Sequence, residues 1–115
     1  MQTVIYHNPR CTKSRQTLEL LQQRGLDLKV IEYLQTPPSE KEIGPILEML
    51  GMEPRDLMRK QEAPYKEQNL ASEEKTRAQL VAALHDWPIL IERPIVIHKG
   101  KAAIGRPPEN VLAIL

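Results

Sequence analysis

TVIYHNPRCTKSRQTLELLQQRGLDLKVIEYL, residues 3–34, carries strand, helix and strand signals in succession, and its reading decides the fold. Residues 3–6 favour extended structure through Val4, Ile5 and Tyr6, and Pro9 ends the run. Ser14, Leu18 and Leu21 then fall at helical spacing on one face, and Gly25 supplies a stop. From Leu26 onward, Leu28 and Val30 alternate with Asp27 and Lys29, the period of a strand with one buried side. Strand, helix and strand in roughly thirty residues make a βαβ unit, whose strands are parallel and whose crossover is right-handed.

The rest of the chain adds a helical middle and a second strand pair. Ser39 and Glu42 match a capping box. Ile43, Ile46, Leu47 and Leu50 follow at helix spacing up to Gly51. Pro45 either kinks this helix or marks a later start. Pro54 opens a short helix carrying Leu57 and Met58. QEAPYKEQNLASEE, residues 61–74, is polar and is expected to be irregular. Thr76 and Gln79 form a second box ahead of Leu80, Val81 and Leu84. PIVIHKGKAAIG, residues 94–105, reads as a hairpin turning at Lys99 and Gly100. PPENVLAIL then reads as a final helix with Val111, Leu112 and Leu115 facing inward. The expected order is βαβ, a helical insertion over about residues 39–88, then ββα, in one domain over residues 1–115. That is an α/β layer architecture, a mixed sheet flanked by helices.

Composition narrows the function classes. A chain of 115 residues, 41% hydrophobic, has material for one core and not for two. A net charge of +1 argues against a nucleic-acid surface, which shows as a basic stripe. No run approaches the ~20 apolar residues of a membrane span, and the N-terminus enters a strand-like segment directly. With a single cysteine no internal disulfide can form, which fits a reducing compartment. The expectation is a cytoplasmic protein with no nucleic-acid or membrane partner. Cys11, His7, His85 and His98 lack ligand spacing for zinc, so no metal and no tightly bound cofactor is expected.

Cys11 is the residue on which function turns. Free cysteines are commonly buried and inert. This one falls between the first strand and the start of its helix, at the sheet edge where open α/β folds bind ligands. Unpaired N–H groups and the helix dipole favour a thiolate there, and the thiolate is the nucleophile. Arg10, Lys13 and Arg15 add positive potential. The amides of Thr12, Lys13 and Ser14, with the Ser14 hydroxyl or Arg15 as a further donor, are expected to make a cradle suited to an oxyanion. Thiol phosphatases place their arginine further from the cysteine, so the spacing fits them poorly. Ser14 stands three positions after Cys11, which removes any internal resolving thiol. His7 either hydrogen-bonds near the thiolate or satisfies a loop. Arg59, Arg93 and Arg106 taken singly read as solvated charges. Arg93 and Arg106 each precede a proline, which favours an extended backbone, and either isomer of the Arg93–Pro94 bond remains open.

Taken together, IYHNPRCTKSRQTLELL, YLQTPPS, LMRK, PYKEQNLA, ERPIV and GRPPENVLAIL resemble, in order, the glutaredoxin-linked arsenate reductase family. The resemblance runs from Val4 to Leu115, and the GRPPE ending is most similar to the chromosomal arsenate reductase-like subgroup. It implies a thioredoxin-like fold and reduction of arsenate to arsenite by Cys11. Glutathione would serve as co-substrate, and glutaredoxin would resolve the mixed disulfide. His7, Ser14 and Arg15 would support the loop, and Arg59, Arg93 and Arg106 would hold the oxyanion. The loop reads CTKS where the family's resistance enzyme has a glycine-containing CGTS, which matters if the cradle requires positive φ. Two rivals stand beside this reading: a redox-responsive regulator that binds RNA polymerase, and a thioredoxin-like scaffold with an inert cysteine.

Overall fold

The computed structural model describes residues 2–115. They form two compact units, one made of the chain up to Thr36 with Arg93–Leu115, the other of Pro37–Glu92.

In the first unit, β1 (Thr3–His7), β2 (Leu28–Glu32), β3 (Ile95–His98) and β4 (Lys101–Ile104) form one mixed sheet in the order β2-β1-β3-β4. β1 pairs with β2 in parallel, Ile5 opposite Val30, and with β3 antiparallel, Ile5 opposite Val96. Helix α1 (Thr12–Gln23) makes the crossover between the parallel strands. Gly25, at φ 67°, ends it in the left-handed conformation that glycine adopts without strain. Ile5, Leu21, Val96 and Val111 are fully buried and form the core, with Leu18, Leu28 and Ala103 packed against it. This is the thioredoxin-like α/β fold with its mixed sheet and flanking helices.

Several expectations change in detail. The buried line of α1 is Ser14, Thr17 and Leu21, so a threonine joins the expected face while Leu18 lies at its margin. Leu28 reaches the core, but Val30, two residues on along the same edge strand, is 45% exposed. The β3–β4 turn has positive φ at both Lys99 and Gly100, as a two-residue hairpin requires. The C-terminal segment is a 3₁₀ helix, Pro108–Ile114. Its period of three buries Pro108 and Val111 and half-buries Ile114, and it turns Leu112 outward.

In the second unit, α2 (Glu40–Leu50) and α4 (Arg77–Asp86) pack together. Both start on closed capping boxes, Ser39 with Glu42 and Thr76 with Gln79. α2 begins at Glu40 and runs through Pro45, which lies on its exposed side. Residues 61–74 are less irregular than their polarity suggests. Pro64 lies in the first turn of a short helix, α3 (Ala63–Glu67), and is itself buried. Beyond α3, Arg55 donates from Nε to the Leu70 carbonyl at 2.9 Å and from Nη2 to that of Ser72 at 2.6 Å. One guanidinium thereby ties this loop at two of its carbonyls.

Candidate active site

Strand direction sets the site. Tyr6 at the end of β1 faces Ile95 at the start of β3, and Ile95 faces Ile104 at the end of β4. The segments beyond these three residues therefore leave the sheet at one edge. They carry Cys11, Arg93 and Arg106, which are far apart in sequence.

The loop after β1 is held by Asn8. Its carbonyl accepts from the Cys11 N–H at 3.0 Å, its side-chain oxygen from the Arg10 N–H at 3.0 Å, and its own N–H donates to Ser14 Oγ at 3.0 Å. Ser14, fully buried, also bonds His7 Nδ1 at 2.6 Å, with the donor set by the imidazole tautomer. Burial lowers the pKa of His7, Glu32 opposes that, and Arg15 reinforces it, with a net fall below 6.5. The Arg15 guanidinium donates to the Pro9 carbonyl at 3.0 Å and to Thr12 Oγ1 at 3.2 Å. It ties the loop to the first turn of α1.

Cys11 is the N-cap of α1, with φ −94° and ψ 123°. Its Sγ closes no full capping hydrogen bond. Burial pushes its thiol up; the Ser14 N–H, Arg93, the Lys13 N–H and Arg106 pull it down, and together they hold it below the ordinary 9.0. Arg106 Nη1 lies 3.7 Å from Sγ. Arg93 Nε is buried and has no hydrogen-bond partner among the described residues. Each arginine precedes a cis peptide bond, Arg93–Pro94 and Arg106–Pro107.

A close contact fixes both arginine segments against α1. The Gly105 N–H donates to the Pro94 carbonyl at 2.9 Å. The hydroxyl of Thr17, a fully buried residue, donates to the Lys13 carbonyl at 2.8 Å and reaches the Gly105 carbonyl at 3.4 Å. A Cβ on Gly105 would collide with Thr17 Oγ1 and lie 2.9 Å from Pro94 Cγ and 3.0 Å from Thr17 Cγ2. Asn8, Thr17 and Gly105 did not emerge from sequence reasoning. The available signals were the asparagine before Pro9 and the glycine beside Arg106, neither of which names its partner.

The structure thus gathers Cys11, His7, Ser14, Arg15, Arg93 and Arg106 in the first unit. Arg59 belongs to the second, where its Nη2 pairs with Glu62 at 3.2 Å and its N–H donates to the Leu90 carbonyl at 2.6 Å. Among the described residues no cluster of three His, Cys, Asp or Glu side chains could hold a metal ion, and no helix is long and apolar enough to cross a membrane.

Comparison with known proteins places this geometry in context. The ArsC family matches residues 6–114. The uncharacterized protein YfgD of Escherichia coli is 50% identical over 115 residues, spanning 99% of this chain and 97% of its own. An arsenate reductase of Neisseria meningitidis is 46% identical, spanning 96% of each chain. The solved structure of an arsenate reductase from Vibrio cholerae superposes with a TM-score of 0.95 at 50% identity, covering 100% of this chain and 98% of that one.

Proposed function

Because the chain belongs to the ArsC family, we propose that it reduces arsenate to arsenite at Cys11, with glutathione and glutaredoxin as thiol donors. The observation that carries this reading is the pairing of a thiol held below its usual pKa with a buried, unbonded guanidinium N–H on Arg93. A buried donor left without an acceptor costs about 1–3 kcal/mol, and an anion oxygen arriving beside Cys11 would relieve it. Guanidinium groups suit a tetrahedral oxyanion because their N–H donors are charged and fixed in direction.

The electrons balance over two thiols. The Cys11 thiolate attacks As(V), and one oxygen leaves as water after protonation. The sulfur of glutathione then attacks Cys11 Sγ, and the S–As electron pair passes to arsenic, which departs as arsenite, As(III). Two thiols have become one mixed disulfide on Cys11. A glutaredoxin thiol takes the glutathionyl group and frees Cys11. No second cysteine is needed in this chain, which has none.

In this reading Arg93 and Arg106 bind the oxyanion, while His7, Ser14 and Arg15 hold the loop that aims Cys11. Arg59 is assigned to the same oxyanion on family resemblance alone; in the second unit its Nη2 pairs with Glu62. Residues 1–115 act as one domain with an insertion over about 39–88. The thiol chemistry belongs in a reducing compartment, the cytoplasm.

Arsenate-dependent NADPH oxidation, in the presence of glutathione, glutathione reductase and glutaredoxin, tests the proposal. Turnover is expected with the wild type and not with Cys11→Ser. Absence of wild-type turnover, or an unchanged rate in Cys11→Ser, overturns it.

A further inference from the structure

Displacement at sulfur constrains the direction of the second thiol. In the proposed reaction the glutathione sulfur attacks Cys11 Sγ as the S–As bond breaks, so incoming sulfur, Sγ and arsenic must lie near one line. Arg93 and Arg106 draw the arsenic towards the β3–β4 side of the Cys11 loop. The sheet order β2-β1-β3-β4 then leaves the β2 side for the incoming thiol.

An open cleft of about 170 Å³ lies on that side, between residues 7–10 and the segment carrying Glu32, Leu34 and Gln35. Arg10 and Glu32 are both exposed. The guanidinium of Arg10 and the carboxylate of Glu32 make no hydrogen bond or ion pair among the described residues. Leu34, 43% exposed, adds an apolar wall. The cleft is therefore bordered by a cation and an anion that hold no hydrogen bond, by His7, whose imidazole feels the Glu32 charge, and by a hydrophobic surface, beside the loop that ends in Cys11.

The geometry points to this cleft as the subsite for the γ-glutamyl end of glutathione, an inference that rests on the glutathione-dependent reading above. The volume is below the roughly 300–1,000 Å³ of a site that encloses a drug-sized ligand, so it seats one end of the tripeptide. The two ends differ in charge. The glycyl end carries a carboxylate alone, whereas the γ-glutamyl end carries a carboxylate and an ammonium on one carbon. Arg10 and Glu32 complement the second pattern. Glutathione anchored there presents its cysteine towards Sγ from the side away from the arginines.

Two measurements without arsenate test the site, so their outcome is separate from that of the turnover assay. The first titrates S-methylglutathione into the ¹⁵N-labelled protein. Amide shifts are expected at Asn8, Arg10, Glu32, Leu34 and Gln35, with competition from γ-glutamylcysteine and none from cysteinylglycine. The second follows exchange of the Cys11 thiolate with oxidised glutathione, which forms the Cys11–glutathione disulfide and releases one glutathione. Arg10→Ala and Glu32→Gln should each slow this about threefold relative to exchange with uncharged 2-hydroxyethyl disulfide, which normalises for thiolate content. Shifts confined to other residues, equal competition by cysteinylglycine, or equal slowing with both disulfides would overturn the subsite. Those results alongside intact arsenate turnover would overturn the subsite alone.

Discussion

Replacing Gly105 by alanine adds one methyl group to the contact that joins both arginine segments to α1. The new Cβ would fall on Thr17 Oγ1, 2.9 Å from Pro94 Cγ and 3.0 Å from Thr17 Cγ2. Thr17 cannot turn away freely, since it is fully buried and its hydroxyl donates to Lys13. Pro94 is buried too, and its carbonyl accepts from the Gly105 N–H. Overpacking of this kind costs about 1–3 kcal/mol. Relief by shifting the 105–106 backbone would move Arg106 from its 3.7 Å approach to Sγ, and a displacement of ~1 Å costs about 10²-fold in rate. Urea denaturation and the coupled arsenate assay should therefore both register the change, with kcat/KM falling more than stability alone explains. Thr17→Ala removes both clashing side-chain atoms of Thr17, so the double variant should recover at least about 1 kcal/mol relative to the sum of the singles. Wild-type stability and turnover in Gly105→Ala, or strict additivity in the double variant, would refute the reasoning.

Arg93→Ala should lower kcat/KM for arsenate by about 10- to 150-fold, the worth of a charged hydrogen bond, with no fall in the urea midpoint, because the variant also removes the unsatisfied Nε donor. Steady-state kinetics beside denaturation separates the two. Iodoacetamide alkylation of Cys11 should show a midpoint below 9.0 that rises in Arg93→Ala. Because folding depresses this thiol, its stabilising contribution is present above the unfolded pKa and is lost as pH falls through the folded one. Over that window wild type should lose stability relative to Cys11→Ser. Ser14→Ala strands the buried His7 Nδ1 and the part-buried Asn8 N–H and should cost about 1–3 kcal/mol, read by urea denaturation. His7 is depressed below 6.5 by burial, so the unfolded chain takes up its proton first. Stability should fall from about pH 6.5 downward, and His7→Gln should flatten that slope.

The βαβ unit and the hairpin were legible because each rests on local signals: alternation in residues 26–30, helical spacing from Ser14 to Leu21, and Lys99–Gly100 between short apolar runs. Local signals failed where tertiary partners decide. Thr17 is polar and would be assigned to solvent, yet its hydroxyl bridges the Lys13 and Gly105 carbonyls. Leu112 has the composition of a core residue, but the 3₁₀ period turns it outward. Cys11 could be picked out as a site residue because strand end, proline and helix start are consecutive. The approach of Arg93 and Arg106 depends on the antiparallel insertion of β3 beside β1, a pairing that no stretch of sequence encodes by itself.

The glycine missing from the CTKS loop bears on how the thiol is activated. Among the described residues positive φ occurs only at Asn69, Lys99, Gly25, Gly51 and Gly100, so the turn from Cys11 to Ser14 is built without it. Thr12, Lys13 and Ser14 are simply the first three residues of α1, and their N–H groups are free because a helix start leaves them so. The amides of Ser14 and Lys13 lower the thiol without the strain that a side chain would suffer at positive φ. Arg106 makes the direct contact with Sγ, yet Arg93 lowers the thiol more. Arg106 is exposed and Arg93 half-buried, and water screens the first charge more than the second. The Ser14 amide and, after it, the half-buried charge of Arg93 therefore prepare the nucleophile before any anion arrives. Exchanging Arg106 for lysine should accordingly disturb alkylation of Cys11 less than exchanging Arg93 for lysine, which also deletes the buried Nε donor.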